Sequence, residues 1–125
     1  MPSTNETCLV TGACGFVGRH MVELLVREGH RVRASDLKNT YVEDFERLGV
    51  EFVPADLTDR SSLKPVVKGI KWVFHPASLF DYTAPHEALE RVNVVGTRNL
   101  AEACCGIEVQ RFVLWSSIRC LWRVG

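Results

Sequence analysis

The sequence predicts an α/β protein whose strands form a doubly wound parallel sheet. Three observations carry that expectation. Short apolar runs alternate with amphipathic stretches along the whole chain. The first apolar run, Cys8-Leu9-Val10, breaks into a turn with glycines at every third position, Gly12, Gly15 and Gly18. Polar or small residues close each apolar run, at Gly12, Asp36, Asp56, His75 to Ser78 and Ser116-Ser117. Short strands separated by helices bury both faces of a parallel sheet, and ligands then gather beyond the carboxyl ends of the strands.

The first strand leads through Thr11-Gly12 into a helix with apolar positions Phe16, Val17, Met21, Leu24 and Leu25. Strand, glycine turn and helix in that order are the setting in which a glycine triplet reads as a dinucleotide-binding fingerprint. Gly12 serves the tight turn, Gly15 lets the backbone approach a pyrophosphate, and Gly18 lets the helix lie close to the sheet. The helix N-terminus then offers free N–H groups and a partial positive charge to the phosphates. The alternative for the triplet is a glycine-rich turn with no ligand. Cys14, inside the turn, reads as a small side chain filling a variable position.

Gly29-His30 makes a turn, and Arg31 to Asp36 alternates as a second strand. Asp36 follows about eighteen residues after Gly18, where an acidic side chain meets the ribose hydroxyls of NAD and repels the extra phosphate of NADP. Lys38 is the one nearby base that would favour NADP. The alternative for Asp36 is a solvated carboxylate at a strand end. Asn39 to Leu48 reads as a short helix stopped by Gly49, and Val50 to Val53 as a third strand. Asp59 or Ser61 caps a helix from Ser62 to Val67, with Pro65 tolerated in its first turn, and Gly69 ends it.

Lys71 to His75 is a fourth strand, with Leu79 to Pro85 a loop after it. His86 to Cys105 is one long helix interrupted by Asn93 and Gly96 and ended by Gly106, and Arg111 to Ser116 is a fifth strand. Right-handed crossovers and a fingerprint on the first strand give the Rossmann order 3-2-1-4-5. His75 closes a strand before a proline and reads as structural. The bland readings of Asn93 and Ser116 are a polar group satisfied within its helix and a strand-end cap.

Composition excludes several function classes. With 125 residues the chain suits one small domain. A net charge of zero gives no reason to expect nucleic acid or an anionic surface as partner. No apolar run is long enough for a membrane span, and the polar start MPSTNET is unlike a signal peptide, so the cytoplasm is expected. The five cysteines contain no C-x-x-C pair, which argues against a disulfide framework or a metal site.

Taken together, these segments resemble the N-terminal part of an extended short-chain dehydrogenase/reductase of the NAD-dependent epimerase/dehydratase family, 3-beta-hydroxysteroid dehydrogenase-like relatives included. Thr11 to Gly18 is similar to the family's TGxxGxxG, and Asp36-Leu37 to its second strand end. Asp56-Leu57 resembles the pair that flanks the adenine. His75-Pro76-Ala77-Ser78 resembles the HxAA segment along the cofactor, and Asn93 to Thr97 the NVxGT helix motif, whose asparagine fixes local backbone geometry. The resemblance implies NAD, rather than NADP, held by Gly12, Gly15, Phe16, Val17, Gly18, Asp36, Leu37, Asp56, Leu57, Pro76, Ala77, Ser78 and Asn93. It also implies Ser117 as the catalytic serine that orients the substrate. The substrate would be a small molecule: a nucleotide sugar, a sterol or another secondary alcohol. Dimerisation of the full-length parent is implied as well.

The same resemblance calls for a Tyr-x-x-x-Lys pair after the serine, the tyrosine as acid/base and the lysine lowering its pKa. Tyr41 and Tyr82 both precede Ser117 and neither has a lysine four residues on. The expectation is therefore a cofactor-binding domain over residues 1–118, truncated before its sixth strand, and inactive alone. Residues 119–125 form an aberrant tail: the codons of Arg119 to Trp122 shifted by one base permit Gly-Val-Tyr-Gly, the family's continuation. A shifted reading frame is the expected origin, with alternative splicing as its rival. Competing functions are a dinucleotide-binding module without catalysis and a non-functional truncation product.

Overall fold

The computed structural model describes residues 6–79 and 83–115. Its strands are β1 (Thr7–Thr11), β2 (Arg31–Ser35), β3 (Glu51–Phe52), β4 (Ile70–His75) and β5 (Arg111–Leu114). All neighbouring strands pair in parallel, in the order β3-β2-β1-β4-β5. That is the expected order, with the glycine strand at the centre.

Period-two alternation along the strands divides the core in two. Cys8 and Val10 of β1, Val32 and Ala34 of β2 and Phe74 of β4 face one side. There they meet Val22 and Leu25 of α1 (Phe16–Arg27) and Phe45 of α2 (Val42–Leu48). Leu9 and Val73 face the other side. They pack on Leu63, on Val66 and Val67 of α3 (Lys64–Val67) and on Leu100 and Cys104 of α5 (Gly96–Cys105). A side chain as large as Leu9, fully buried, contributes about 1.5–3 kcal/mol relative to exposure. Burial pushes the thiols of Cys8 and Cys104 up to about 11, so both stay protonated as small apolar groups.

Several boundaries move from their sequence-based positions. The third strand shrinks from Val50–Val53 to two residues, as the outermost strand on its side. The second helix starts at Val42 rather than Asn39, because the Asn39 side chain accepts the Tyr41 N–H at 2.9 Å and holds the chain in a turn. A 3₁₀ turn, Arg60–Leu63, precedes α3, with the Asp59 carboxylate accepting from the Ser61 N–H. The buried stripe of α1 is Gly18, Val22 and Leu25, while Phe16, Val17 and Leu24 are exposed. Phe16 and Val17 stand in the first turn, at the ends of the strands, where no sheet lies beneath them.

The long helix is continuous in backbone, but not uniform. It runs as α4 (His86–Glu90), a π turn over Arg91–Val95, and α5, with right-handed helical backbone at each junction. No described helix is long and apolar enough to cross a membrane.

Candidate functional site

A cleft of about 520 Å³ opens at the carboxyl ends of the central strands. Gly12, Gly15, Phe16, Val17 and Gly18 line it from the glycine turn, and Asp36 and Leu37 from the end of β2. Asp56 and Leu57 line it from the segment after β3, and Pro76, Ala77 and Ser78 from the segment after β4. Twelve residues singled out along the sequence thus meet in one place. Asn93 stands behind the wall rather than in it, beside the lining residue Val92. Ser117 lies outside the described residues.

The glycine turn is built so that no side chain intrudes. Gly12 has a φ of +56°, and a Cβ there would come within 2.8 Å of the Ala77 Cα. A Cβ on Gly18 would run into the Gly12 carbonyl, so Gly18 sets how closely α1 approaches the turn. Gly15 caps α1 with no side chain to offer, and the first turn contains no acidic residue. The first N–H groups of this twelve-residue helix therefore face the cleft with their partial positive charge unanswered from within. That donor set fits a phosphate.

Beside the turn, each carboxylate oxygen of Asp36 accepts one backbone N–H. Oδ2 takes the Cys14 N–H at 3.0 Å and Oδ1 the Leu37 N–H at 2.8 Å. The carboxylate is thus fixed to the glycine turn, and each oxygen keeps a lone pair for a hydroxyl donor. Asp56 is tied differently. Its Oδ1 accepts the hydroxyl of Thr58 at 2.7 Å and the Thr58 N–H at 2.9 Å, which holds its carboxyl below the usual range and shapes the turn. A carboxylate at Asp36 in the same cleft as a partially positive helix end suits a ligand with a phosphate flanked by a sugar diol.

One helix holds two walls of the cleft, the segments after β3 and β4, and the end of β4 itself. Asn93 clamps the backbone of Leu79, accepting its N–H at 2.7 Å and donating to its carbonyl at 3.1 Å. Asn99 donates to the Leu57 carbonyl at 2.8 Å. Gly96 lets the Leu57 side chain in, since a Cβ there would sit 3.0 Å from the Leu57 Cβ. Thr97 meets Nε2 of His75 at 2.9 Å. The interruptions at Asn93 and Gly96 are therefore the contacts by which the helix positions the site. The π turn sits at Asn93, a common feature of helices near functional sites.

His75 links this helix to the glycine strand. Its Nδ1 lies 2.7 Å from the Thr11 hydroxyl, which also accepts the Ala77 N–H at 3.4 Å. The ring is 1% exposed and meets the edge of Phe112 at 5.8 Å. Burial lowers its pKa to about 4, so it is neutral near pH 7, donating at one nitrogen and accepting at the other. The structural reading of His75 fits this placement. Thr11, Thr97 and Asn99 were not singled out as site residues, although Thr11 and Thr97 stand inside quoted motifs. Asn99 carried no signal in sequence, because its partner is far along the chain.

With this geometry in place, comparison with known proteins shows what the chain is similar to. The model of the 3-beta hydroxysteroid dehydrogenase/isomerase family matches residues 9–123. A sterol-4-alpha-carboxylate 3-dehydrogenase (decarboxylating) from Bos taurus is 39% identical over 112 residues, covering 90% of this chain and 30% of the relative. A short-chain dehydrogenase/reductase superfamily protein from Agrobacterium tumefaciens, solved with bound NAD, is 35% identical with a TM-score of 0.78. That match covers 90% of this chain and 33% of the solved one. A mutant uronate dehydrogenase from the same organism, complexed with NAD, is 31% identical with a TM-score of 0.77, covering 90% and 41%. The chain thus spans about a third of the length of these relatives.

Proposed function

The chain belongs to the 3-beta hydroxysteroid dehydrogenase/isomerase family, and from that premise we propose that it is the NAD-binding portion of a dehydrogenase acting on a small-molecule secondary alcohol. The observation that carries the reading is an uncapped α1 N-terminus and the Asp36 carboxylate, tied to the glycine turn beside it, lining one cleft. In this reading the first-turn N–H groups of α1 bind the pyrophosphate, and Asp36 accepts from the adenosine ribose hydroxyls. Leu37, Asp56 and Leu57 flank the adenine, and Pro76 to Ser78 lie along the dinucleotide toward the reacting end. Asn93, Thr97 and Asn99 act as positioning residues behind these walls. Ser117 orients the reacting hydroxyl.

When bound, the dinucleotide supplies the hydride acceptor. The relatives favour a sterol over a nucleotide sugar as the substrate class. Neither tyrosine of the sequence, Tyr41 or Tyr82, is followed four residues on by a lysine. The 125 residues therefore bind cofactor without completing the acid/base step, which also makes a binding module without catalysis the second reading.

Titration calorimetry of the 125-residue chain with NAD and NADP tests the proposal. NAD binds with one site per chain, and NADP binds at least about tenfold more weakly, because a second phosphate beside Asp36 meets like charge. Asp36→Ala narrows the gap. Equal binding of NAD and NADP by the native chain, or no binding of either, rules the assignment out.

A further inference from the structure

The loop from Asp36 to Tyr41 joins β2 to α2 and carries Asp36 and Leu37 of the cleft wall. It is held to the glycine turn and α1 at three places. At its start the Cys14 N–H donates to Asp36 at 3.0 Å. In its middle the Cys14 thiol donates to the Lys38 carbonyl at 3.5 Å. At its far end the Arg19 guanidinium lies over the Tyr41 ring, 4.7 Å from its centroid.

Arg19 and Tyr41 are each prepared for this contact. Arg19 follows Gly18 on the first turns of α1, and Glu23 one turn on pairs with its Nε at 3.4 Å. Tyr41 is turned inward by the Asn39 side chain on its N–H and packs at the edge of the core, 6.2 Å from the Phe45 ring. Between the ties Leu37 is 70% exposed and lines the cleft. A loop held at both ends presents Leu37 and the Asp36 carboxylate in one position. A loop free at its far end would have to be ordered when the ligand arrives, at the expense of affinity.

We propose that Arg19 and Tyr41 form a clasp that positions the Asp36–Tyr41 loop for the adenosine end of the dinucleotide. Both are positioning residues: neither lines the cleft. The inference rests on the assignment of the cleft to NAD. The clasp acts on the adenosine half alone, since the nicotinamide half extends toward Pro76 to Ser78, in the segment after β4.

Calorimetry with NAD, ADP and nicotinamide mononucleotide on the native chain and on Arg19→Ala, Tyr41→Leu, Tyr41→Phe and the double variant Arg19→Ala/Tyr41→Leu provides the test. Opening the clasp weakens NAD roughly two- to fivefold, the range of an exposed cation–π contact. ADP weakens by the same factor and the mononucleotide is unaffected. Tyr41→Phe keeps the ring under the guanidinium but loses the hydroxyl that also interacts with it, so it stays closer to native affinity than Tyr41→Leu, and the double variant is no weaker than either single one. Arg19 is partly exposed, so Arg19→Ala leaves the core intact and decides the matter even where Tyr41→Leu fails to fold. Native NAD binding with unchanged ADP affinity in Arg19→Ala overturns the clasp while leaving the cofactor assignment standing. Loss of NAD binding by the native chain overturns the cofactor assignment itself.

Discussion

Replacing His75 by glutamine should remove a specific part of the pH dependence of stability. In the folded chain His75 is buried between Thr11 and Thr97, and its pKa falls from 6.5 to about 4 through desolvation. Both threonine hydroxyls can turn to accept, so the cost of protonation lies in placing a charge in the core. Below pH 6.5 the unfolded chain takes up a proton that the folded chain refuses. The unfolded state then binds more protons, and stability falls with pH until about pH 4, where the folded ring also protonates and the loss levels off. The gap between 6.5 and about 4 corresponds to about 3 kcal/mol. Urea unfolding at a series of pH values between about 7.5 and 4.5 reads this directly, with the native and His75→Gln curves subtracted so that surface carboxylates cancel. The native chain should lose about 2–3 kcal/mol more than the variant across that range. Parallel curves for the two proteins would refute the buried, neutral imidazole.

Three other substitutions test the site and its supports. Gly18→Ala drives a Cβ into the Gly12 carbonyl, so unfolding measurements should show a loss above about 3 kcal/mol, with NAD binding abolished. Asn93→Leu removes both hydrogen bonds to the Leu79 backbone and should cost about 2 kcal/mol in denaturant titration, with weaker NAD binding. Leu100→Ala opens a cavity beneath α5 and should cost about 2–5 kcal/mol while the ratio of NAD to NADP affinity stays at its native value.

Where the site could be read from sequence, a local physical requirement left a local trace. Gly12 and Gly18 are demanded by a turn and a close approach within a few residues, and Asp36 by its place at the end of an alternating strand. The parallel direction of the strands followed from their alternation with helices, and their order from right-handed crossovers with the fingerprint on the first strand. The long-range supports left no such trace. Asn99 and Leu57 are far apart in sequence, as are His75 and Thr97, and no period connects them. Asn93 and Gly96 were visible as departures from helical preference, but their reason, the Leu79 backbone and the Leu57 side chain, appears only in three dimensions. Phe16 shows the opposite failure. It continues the apolar stripe of α1, yet it is 82% exposed at the cleft, because periodicity tells which face a residue is on and not where the sheet ends.

The central claim is that the dinucleotide lies with its phosphates on the α1 N-terminus and its ribose on Asp36. Backbone amide shifts recorded by NMR as NAD is added to the full chain test it most directly. The largest changes should fall on the N–H groups of Gly12 to Gly18, on Asp36 and Leu37, and on Ala77 to Leu79. The surface around Lys64, Lys68 and Ile107 should stay unchanged. Saturable shifts confined to that second surface, with the Gly12 to Gly18 amides unmoved, would contradict the account.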